Sequence, residues 1–254
     1  MEIKGSTALV TGGNRGIGAA FVRALLTAGA AKVYVGSRDS GAAAQLVAEF
    51  PDRCAAIALD ITDDRGVLAA AQQCADVNLL VNNAGVFTNK LLIGAADMSA
   101  AREEMNVNYF GTLAMCRAFA PVLARNGGGA IVNVLSAAAL VNLPVMGGYG
   151  PSKAAARSLC AGVRAELADQ HTQVIALIVG SVDTRMAAHV EGAKESPDNI
   201  ARAGLRAVTQ GIDELDTDAM AIGVRAALAL DPKALERRMA KLLKATSIST
   251  GKQG

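Results

Sequence analysis

The sequence contains no tryptophan, and aromatic residues make up only 3% of its 254 residues. It also lacks an uninterrupted apolar run of the ~18–20 residues that a membrane helix needs. Its first residues do not show the basic and apolar regions of a signal peptide. We therefore expect no membrane partner and a cytoplasmic location. Hydrophobic residues still make up 52% of the chain, which is enough to form one large core.

Histidine is scarce, since His171 and His189 are the only two in the chain. The four cysteines form no Cys-x-x-Cys motif, so a zinc site is not expected and no metal is predicted. The same scarcity weighs against a Ser-His-Asp hydrolase. The nearest approach to a Gly-x-Ser-x-Gly nucleophile elbow, at residues 150–154, ends in alanine.

Charge is distributed unevenly along the chain. Residues 231–254 hold six Lys or Arg and two Asp or Glu, a local net charge of +4. Of the 25 basic and 23 acidic residues in total, 19 and 21 remain in residues 1–230, a net charge of −2. The body therefore lacks the basic surface of a nucleic-acid-binding protein. Apolar residues recur at helical intervals over 235–243, which predicts a surface helix with a solvated basic face.

Short β-branched runs alternate with longer alanine-rich stretches. The apolar runs predict six strands, at residues 7–11, 32–36, 55–59, 78–82, 130–135 and 174–179. The stretches between them predict helices, at residues 17–28, 40–50, 63–75, 99–125 and 150–169. Apolar strands separated by helices are typical of a parallel sheet that is covered on both faces. We therefore predict one α/β domain over residues 1–230, followed by a basic C-terminal helix and tail at 231–254.

The regular alternation loosens after the sixth predicted strand. Ser196 followed by Pro197 is typical of a helix N-cap and first position, which predicts a helix over residues 197–210. Residues 212–215 are a candidate edge strand. We expect residues 185–211 to form a lid over the substrate, because such variable segments often take that role.

A glycine-rich loop follows the first strand, with the sequence Thr-Gly-Gly-Asn-Arg-Gly-Ile-Gly at residues 11–18. Glycines here allow a tight turn and the close approach of a pyrophosphate, and the N-terminus of the next helix attracts its charge. A glycine turn alone is weak evidence, but its place at the first turn of a β-α-β unit favours dinucleotide binding. The residues expected to contact the dinucleotide are Gly12, Asn14, Arg15, Gly16, Ile17 and Gly18.

The end of the second strand decides which dinucleotide is expected. An acidic residue there binds the ribose 2′-hydroxyl of NAD, whereas an arginine accommodates the 2′-phosphate of NADP. This chain has Ser37 and Arg38 at that place, and Arg15 adds a second positive charge. We therefore expect NADP(H), contacted by Ser37 and Arg38. In the alternative, both arginines are solvated surface residues and Asp39 binds the ribose of NAD(H).

A tyrosine and a lysine stand four residues apart, at Tyr149 and Lys153. In a helix this spacing places both side chains on one face, one turn apart. A tyrosine has an ordinary pKa of roughly 10. A nearby ammonium group lowers this pKa, which makes the phenol usable as an acid or base near neutrality. Taken alone, such a motif more often marks a surface pair.

Further polar residues follow predicted strands. Ser136 closes the fifth strand, and Asn-Asn-Ala-Gly at residues 82–85 closes the fourth. Asn108 and Gly111 lie inside the longest predicted helix, where asparagine and glycine reduce helix stability. The carboxyl ends of parallel strands meet at one edge of the sheet, where such folds bind ligands. With the tyrosine and lysine, these residues predict an active site at that edge.

These motifs together resemble those of the short-chain dehydrogenase/reductase family, in the form whose length matches this chain. The resemblance extends from residue 7 to about residue 184 and also includes Asp60 and the segment 179–184. It implies a single-domain Rossmann fold, a doubly wound parallel sheet with helices on both faces. The implied catalytic residues are Asn108, Ser136, Tyr149 and Lys153. The implied cofactor contacts are Asp60 and Ile61 at the adenine, Asn83 and Gly85, and Val182 and Thr184 beside the nicotinamide.

The resemblance also implies a mechanism. Tyr149 protonates the alkoxide that hydride transfer creates, and Ser136 donates a hydrogen bond to the same oxygen. Lys153 lowers the pKa of Tyr149 and binds the nicotinamide ribose. Asn108 anchors a water molecule that connects Lys153 to solvent. The expected function is therefore an NADP(H)-dependent oxidoreductase that acts on a small carbonyl compound or secondary alcohol.

Two alternatives belong to other classes of protein. One is a regulatory protein of the same fold that senses a dinucleotide without turnover, and the other is a hydrolase. The substrate is expected to be uncharged and fairly apolar, because residues 137–146 contain no charge and should line its pocket. In the alternative reading, some of these residues face the core.

Two departures from the family pattern concern the cofactor loop and the assembly. Val179-Gly180 replaces the common Pro-Gly, and the frequent glycine-rich C-terminal ending is absent.

Helices 99–125 and 150–169 carry apolar residues on more than one side, which predicts a homodimer or homotetramer joined through them, with Phe119 in the interface. The missing ending makes a dimer at least as consistent with the sequence as a tetramer.

Overall fold

All strands lie in one parallel sheet in a computed structural model, which describes residues 1–188 and 190–250 and their side chains through residue 243. The strands are β1 (Thr7–Thr11), β2 (Lys32–Ser37), β3 (Cys54–Ala58), β4 (Leu79–Asn82), β5 (Gly129–Val134), β6 (Thr172–Ile178) and β7 (Glu214–Asp216). Their order is β3-β2-β1-β4-β5-β6-β7. The order reverses beside β1, and a sheet of this kind binds ligands in the crevice at that point.

Helices connect the strands. They are α1 (Gly16–Thr27), α2 (Ala44–Glu49), α3 (Asp64–Gln73), α4 (Ser99–Met105), α5 (Thr112–Arg125), α6 (Tyr149–Glu166), α7 (Pro197–Gln210), α8 (Ala219–Leu230) and α9 (Pro232–Thr250). The predicted helix over 99–125 is interrupted, because Asn106–Gly111 forms a π-helical segment between α4 and α5. No helix of the described residues is long and apolar enough to cross a membrane.

Two separate apolar clusters cover the two faces of the sheet. Along β1, Ala8 and Val10 pack in the cluster that contains Phe21 of α1, whereas Leu9 packs in the cluster that contains Phe119 of α5. Successive residues of a strand point to opposite faces. The prediction of a doubly wound α/β sheet covered on both faces is therefore confirmed.

Phe119 does not lie where the sequence argument placed it. Its side chain is fully buried in the core of the protomer, so the prediction that Phe119 forms a subunit interface is wrong. The error arises because α5 packs against α3, α6 and the sheet within one protomer, so apolar residues on several of its sides do not require a second subunit. Exposed apolar side chains on this part of the chain are instead Met98 and Phe110, which are 59% and 55% exposed.

The predicted lid at residues 185–211 divides into two parts. As predicted, the Ser196 hydroxyl accepts a hydrogen bond from the Asn199 amide at 3.1 Å, and α7 begins at Pro197. However, α7 packs in the core, and a Cβ on Gly204 would lie 2.4 Å from Cζ of Phe21. A helix packed in this way cannot open as a lid, so only residues 185–196 remain a candidate for that role.

The C-terminal part of the chain continues the α/β pattern. The candidate edge strand is found as β7, and α9 begins at Pro232 within the predicted basic segment. Leu235 faces the core, whereas Arg237 and Arg238 are exposed. The basic face predicted from the sequence is therefore present on α9. Residues 251–254 of the predicted tail and His189 lie outside the described residues.

Candidate active site

The predicted site residues gather at the carboxyl edge of the sheet. The glycine loop follows β1, Asn83 and Gly85 follow β4, Ser136 follows β5 and Thr184 follows β6. Helix α6 brings Tyr149 and Lys153 to the same edge at its first turn. The parallel arrangement of the strands therefore places residues from five separate parts of the chain in one crevice.

The glycine loop adopts backbone conformations that favour glycine. Gly12 and Gly16 have φ values of +60° and +52°, a region that other residues rarely adopt. A Cβ on Gly18 would lie 2.2 Å from the carbonyl oxygen of Gly12. Helix α1 begins at Gly16, and the preceding Arg15 makes no side-chain capping hydrogen bond. The first N–H groups of α1 thus remain without a side-chain cap, as an anion site at a helix N-terminus requires.

Asn83 and Thr11 hold this loop in place. The side-chain amide of Asn83 donates hydrogen bonds to the carbonyl oxygens of Thr11 and Gly12, at 3.0 and 3.1 Å. The Thr11 hydroxyl accepts from the backbone amides of Asn83 and Ala84, both at 3.0 Å. The Asn83 side chain therefore supports the loop, and its predicted contact with the cofactor stays a prediction. Sequence reasoning did not assign this role to Thr11.

The residues after β2 and β3 form the side of the crevice predicted to bind the adenosine. The Ser37 hydroxyl is buried and donates to the carbonyl oxygen of Asp39 at 2.6 Å. The Asp39 carboxylate accepts from the Gly41 amide at 2.9 Å and so caps the following turn. Hydrogen bonds from Thr62, together with the charge of Arg38, hold the pKa of Asp60 below its usual value. Arg38 therefore lies on the same side of the crevice as Asp60.

The side chain of Ile61 explains why position 111 is glycine, although glycine reduces the stability of a helix. This side chain is buried, and a Cβ on Gly111 would lie 2.8 Å from its Cδ1 atom. Gly111 ends the π segment and allows the helix to approach the end of β3. The glycine is thus required by close packing.

Tyr149 is the first residue of α6, and Lys153 stands one turn further along. Both side chains are buried. The Lys153 ammonium donates to the Val134 carbonyl oxygen at 3.0 Å and lies 5.7 Å from the centroid of the Tyr149 ring. The two side chains therefore do not form the surface pair that was the alternative reading.

The pKa values of this pair differ from the expectation. Burial raises the pKa of Tyr149 to about 12, although a hydrogen bond with Ser136 acts in the opposite direction, and the charge of Glu104 raises it further. Burial lowers the pKa of Lys153 to about 8. In the protein alone the pKa of Tyr149 is thus raised and not lowered as expected, because burial disfavours the charged phenolate.

Asn108 lies in the π segment and connects three parts of the site. Its side-chain oxygen accepts from the Val86 amide, and its nitrogen donates to the Val86 carbonyl oxygen and to the Ser152 hydroxyl, all at 2.9 Å. The Ser152 hydroxyl in turn donates to the Tyr149 carbonyl oxygen at 2.8 Å. Asn108 therefore holds both the segment after β4 and the first turn of α6. The water that it was expected to anchor stays a prediction.

The segment after β6 is fastened by a residue that sequence reasoning did not identify. The Gly180 amide donates to the Asp218 carboxylate at 2.7 Å, and the same carboxylate caps α8 by accepting from the Ala221 amide at 3.0 Å. This contact holds the backbone where the common proline of the family is replaced. Two backbone hydrogen bonds join Glu195 to Ser181 and Asp183, at 2.8 and 2.9 Å, and close the base of the segment 185–194.

Comparisons with known proteins agree with this geometry. The profile of a family described as short chain dehydrogenase matches residues 6–195. The chain belongs to this family. A solved short chain dehydrogenase from Burkholderia cenocepacia J2315 in complex with NADP has 44% sequence identity and a TM-score of 0.89, covering 94% of this chain and 99% of that one.

Curated relatives of this short chain dehydrogenase have diverse names. A sorbitol dehydrogenase from Cereibacter sphaeroides is 35% identical over 188 residues, which cover 72% of this chain and 73% of that protein. A short chain dehydrogenase from Aspergillus terreus is 34% identical over 177 residues, or 65% of this chain and 39% of that longer protein. The expected family, fold and broad reaction class, an oxidoreductase, are confirmed.

The residues at the crevice fit a nicotinamide dinucleotide. The glycine loop leaves an open cradle beside the crevice. A side chain at position 16 would fill it, since a Cβ there would lie only 3.3 Å from the Cγ2 atom of Thr184. The Ser181 hydroxyl, after β6, is buried and has no hydrogen-bond partner among the described residues. Such an orphaned hydroxyl is consistent with a polar ligand at this end of the crevice.

Proposed function

We propose that this short chain dehydrogenase transfers a hydride between NADP(H) and a carbonyl compound or secondary alcohol, with Tyr149 as the general acid or base. The observation that carries the proposal is the buried Tyr149 phenol, which stands one helical turn from Lys153 and lies near enough to the Ser136 hydroxyl for that group to lower its pKa. A buried phenol beside a second hydroxyl is suited to donate a proton to a carbonyl oxygen. When bound, the cofactor supplies the hydride.

The raised pKa of Tyr149 suits the proton-donating role that the proposal gives to this phenol near neutral pH. A phenol with a pKa of about 12 keeps its proton at pH 7 and is ready to act as an acid. The Ser136 hydroxyl donates a hydrogen bond to the same substrate oxygen and so holds the carbonyl toward Tyr149. Lys153 would hold the nicotinamide ribose, and its lowered pKa of about 8 allows it to exchange a proton near that pH.

The preference for NADP(H) rests on the charges around the adenosine. Arg38 and Arg15 are exposed at the crevice, and the Asp39 carboxylate is engaged in capping a turn. The Burkholderia cenocepacia relative was solved with NADP. A cationic rim at the end of β2 suits a 2′-phosphate better than a 2′-hydroxyl. NAD(H) remains the alternative that a comparison of the two nucleotides tests.

The proposed substrate is an uncharged, fairly apolar carbonyl compound. Ala137, Ala138 and Ala139 are buried, so this part of the expected pocket wall faces the core. Residues 143–146 are half-buried and carry no charge, and they lead directly to Tyr149. These residues support an apolar wall beside the phenol. The Cereibacter sphaeroides relative is named for sorbitol, a polyol, so sorbitol belongs among the secondary alcohols to be assayed.

We also propose a homodimer that is joined through α4 and the π segment. An open groove of about 700 Å³ on this face is lined by Met98, Ala101, Arg102, Glu103, Met105, Asn106 and Phe110. Exposed apolar residues that cluster on one helical face mark an interaction surface. A second copy of the chain fits best, because a twofold axis brings the same face of each subunit together.

A panel of ketones, aldehydes and secondary alcohols, assayed with NADPH and NADP⁺ and in parallel with NADH and NAD⁺, tests the proposed function. We expect turnover with at least one apolar ketone, at a higher kcat/KM for the phosphorylated nucleotide. Nucleotide binding without turnover of any compound would instead support the regulatory protein of the same fold. Ester hydrolysis without nucleotide would support the hydrolase.

A further inference from the structure

Glu104 is a buried carboxylate that the proposed mechanism does not use. It lies in the last turn of α4, and its side chain is fully buried. One carboxylate oxygen accepts hydrogen bonds from both the amide and the hydroxyl of Thr88, at 2.8 and 2.9 Å. The other oxygen has no hydrogen-bond partner among the described residues. Burying a carboxylate in this way is costly, so its retention requires a reason.

The hydrogen bonds of Glu104 fix one end of a short segment of the site. Thr88 is held by Glu104, and Val86 is held at the other end by both polar atoms of the Asn108 side chain. Between these two anchors, the ring of Phe87 packs edge-on against the ring of Tyr149, with 5.4 Å between centroids and an interplanar angle of 68°. The orientation of Phe87 therefore depends on the hydrogen bonds made by its two neighbours.

Glu104 also lies against the start of the helix that carries the tyrosine. A Cβ on Gly148 would lie 2.7 Å from the second oxygen of Glu104 and 3.0 Å from the Cα atom of Ala101. Gly148 directly precedes Tyr149 and is the N-cap residue of α6. The carboxylate is thus wedged between the segment after β4 and the first turn of α6, and it contacts the supports on two sides of the phenol.

We propose that Glu104 is a positioning residue, which holds Thr88 and thereby Phe87 so that the Tyr149 ring keeps one orientation toward the substrate. This inference rests on the proposed role of Tyr149. Without the Thr88 contacts, the segment between residues 86 and 88 keeps only its Asn108 anchor, and the ring of Phe87 gains freedom. Small errors in the placement of a reacting group reduce the rate strongly.

A second consequence concerns the pH dependence. The ammonium of Lys153 in α6 lies near the Tyr149 ring, and the pKa of the phenol responds to the Ser136 hydroxyl after β5 and to Glu104 of α4. The negative charge of Glu104 raises the pKa of Tyr149. Glutamine at position 104 keeps an oxygen acceptor for Thr88 but removes the charge. Glu104→Gln should therefore preserve the position of Phe87 and move the pH profile of alcohol oxidation toward lower pH.

The kinetic test compares Glu104→Gln and Glu104→Leu, with Glu2→Gln as a control that makes the same change at an exposed glutamate outside the site and the groove. We expect Glu104→Leu to lower kcat by about tenfold or more while the Kd for NADPH changes by less than about twofold. Glu104→Gln should recover most of the lost kcat and show the shifted pH profile, and Glu2→Gln should match the wild type. If Glu104→Leu is too unstable to purify, Thr88→Val removes one of the two hydrogen bonds and should lower kcat in the same direction.

A readout without substrate separates this inference from the proposed function. The ring-proton NMR signals of Tyr149, assigned by their loss in Tyr149→Phe, report the neighbouring Phe87 ring. Glu104→Leu should move these signals toward their positions in Phe87→Leu, and Glu104→Gln should leave them near the wild type. Unchanged signals in Glu104→Leu would overturn the positioning role, whether or not a substrate is known. Moved signals in an enzyme that turns over no substrate would leave the positioning intact and refute the proposed function.

Discussion

The ammonium nitrogen of Lys153 lies 5.7 Å from the centroid of the Tyr149 ring, yet its hydrogen bond goes to the Val134 carbonyl oxygen of β5 at 3.0 Å. Helix α6 is thus tied to the sheet by the charged group itself. Because this group is buried, its pKa falls to about 8, from an ordinary value of 10.5. The lysine therefore affects the stability of the fold as well as the chemistry.

The stability of the protein should depend on pH through Lys153. The pKa in the folded state is about 8 and the unperturbed value is 10.5, so the unfolded chain binds the proton more tightly between these values. The free energy of unfolding of the wild type should therefore rise with pH through this window, by up to roughly 3 kcal/mol. Lys153→Met has no such group and should lack the rise.

Denaturant titrations at several pH values between 7 and 10 measure this difference. Lys90→Met, which changes an exposed lysine, serves as the control and should follow the wild type. Parallel stability curves for the wild type and Lys153→Met across the window would show that the folded state does not depress the lysine pKa.

Arg38 should determine the preference between nucleotides. Arg38→Asp exchanges a cation for an anion beside the expected 2′-phosphate, and a charge-assisted hydrogen bond contributes enough to shift the kcat/KM ratio of NADPH to NADH by about tenfold or more. Arg206→Asp, an exposed change on α7 away from the crevice, should leave the ratio unaltered. An unchanged ratio in Arg38→Asp would refute the assignment of this residue.

Asp218 should stabilise both α8 and the segment after β6. Asp218→Ala removes the cap of α8 and leaves the Gly180 amide without its partner, which should lower the free energy of unfolding by about 1–3 kcal/mol. Asp218→Asn keeps an acceptor and should lose less. The KM for the nucleotide should rise in the alanine variant, because Gly180 leads to Val182 and Thr184. Equal stability of both variants would argue against this role.

Phe110 replaces Phe119 as the residue that tests the assembly. Sedimentation at micromolar concentration should show a dimer for the wild type, and Phe110→Glu should give a folded monomer, because a charge replaces an exposed apolar side chain of the groove. Leu68→Glu changes an equally exposed apolar residue on α3 and should remain dimeric. A wild-type monomer, or a dimer that persists in Phe110→Glu, would contradict the proposed interface.

The sequence was sufficient to predict the sheet and the residues that follow its strands. Apolar runs locate the strands, and residues after parallel strands meet at one edge, so Ser136 and Tyr149 were found together with the glycine loop. The faces of α4 and α5 were not predictable in this way. In a regular helix Phe110 and Phe119, nine residues apart, lie on opposite faces, but the pattern of apolar residues does not indicate which of the two faces the core.

Buried polar supports were the other part that the sequence did not reveal. Glu104 and Asp218 are acidic residues at a helix end and before a helix, where they are common on the surface. Only the packing shows that the first is fully buried and that the second contacts Gly180. Similarly, the pKa of Tyr149 depends on how deeply the ring is buried, which spacing along α6 does not indicate.

The most direct test of the central claim is the turnover of Tyr149→Phe, since this change removes only the hydroxyl that donates the proton. With an active ketone, kcat should fall by about a hundredfold or more, while the Kd for NADPH, measured by fluorescence titration, should stay close to the wild-type value. A Tyr149→Phe enzyme that keeps a substantial share of the wild-type kcat would show that another residue is the acid, and the proposed mechanism would be wrong.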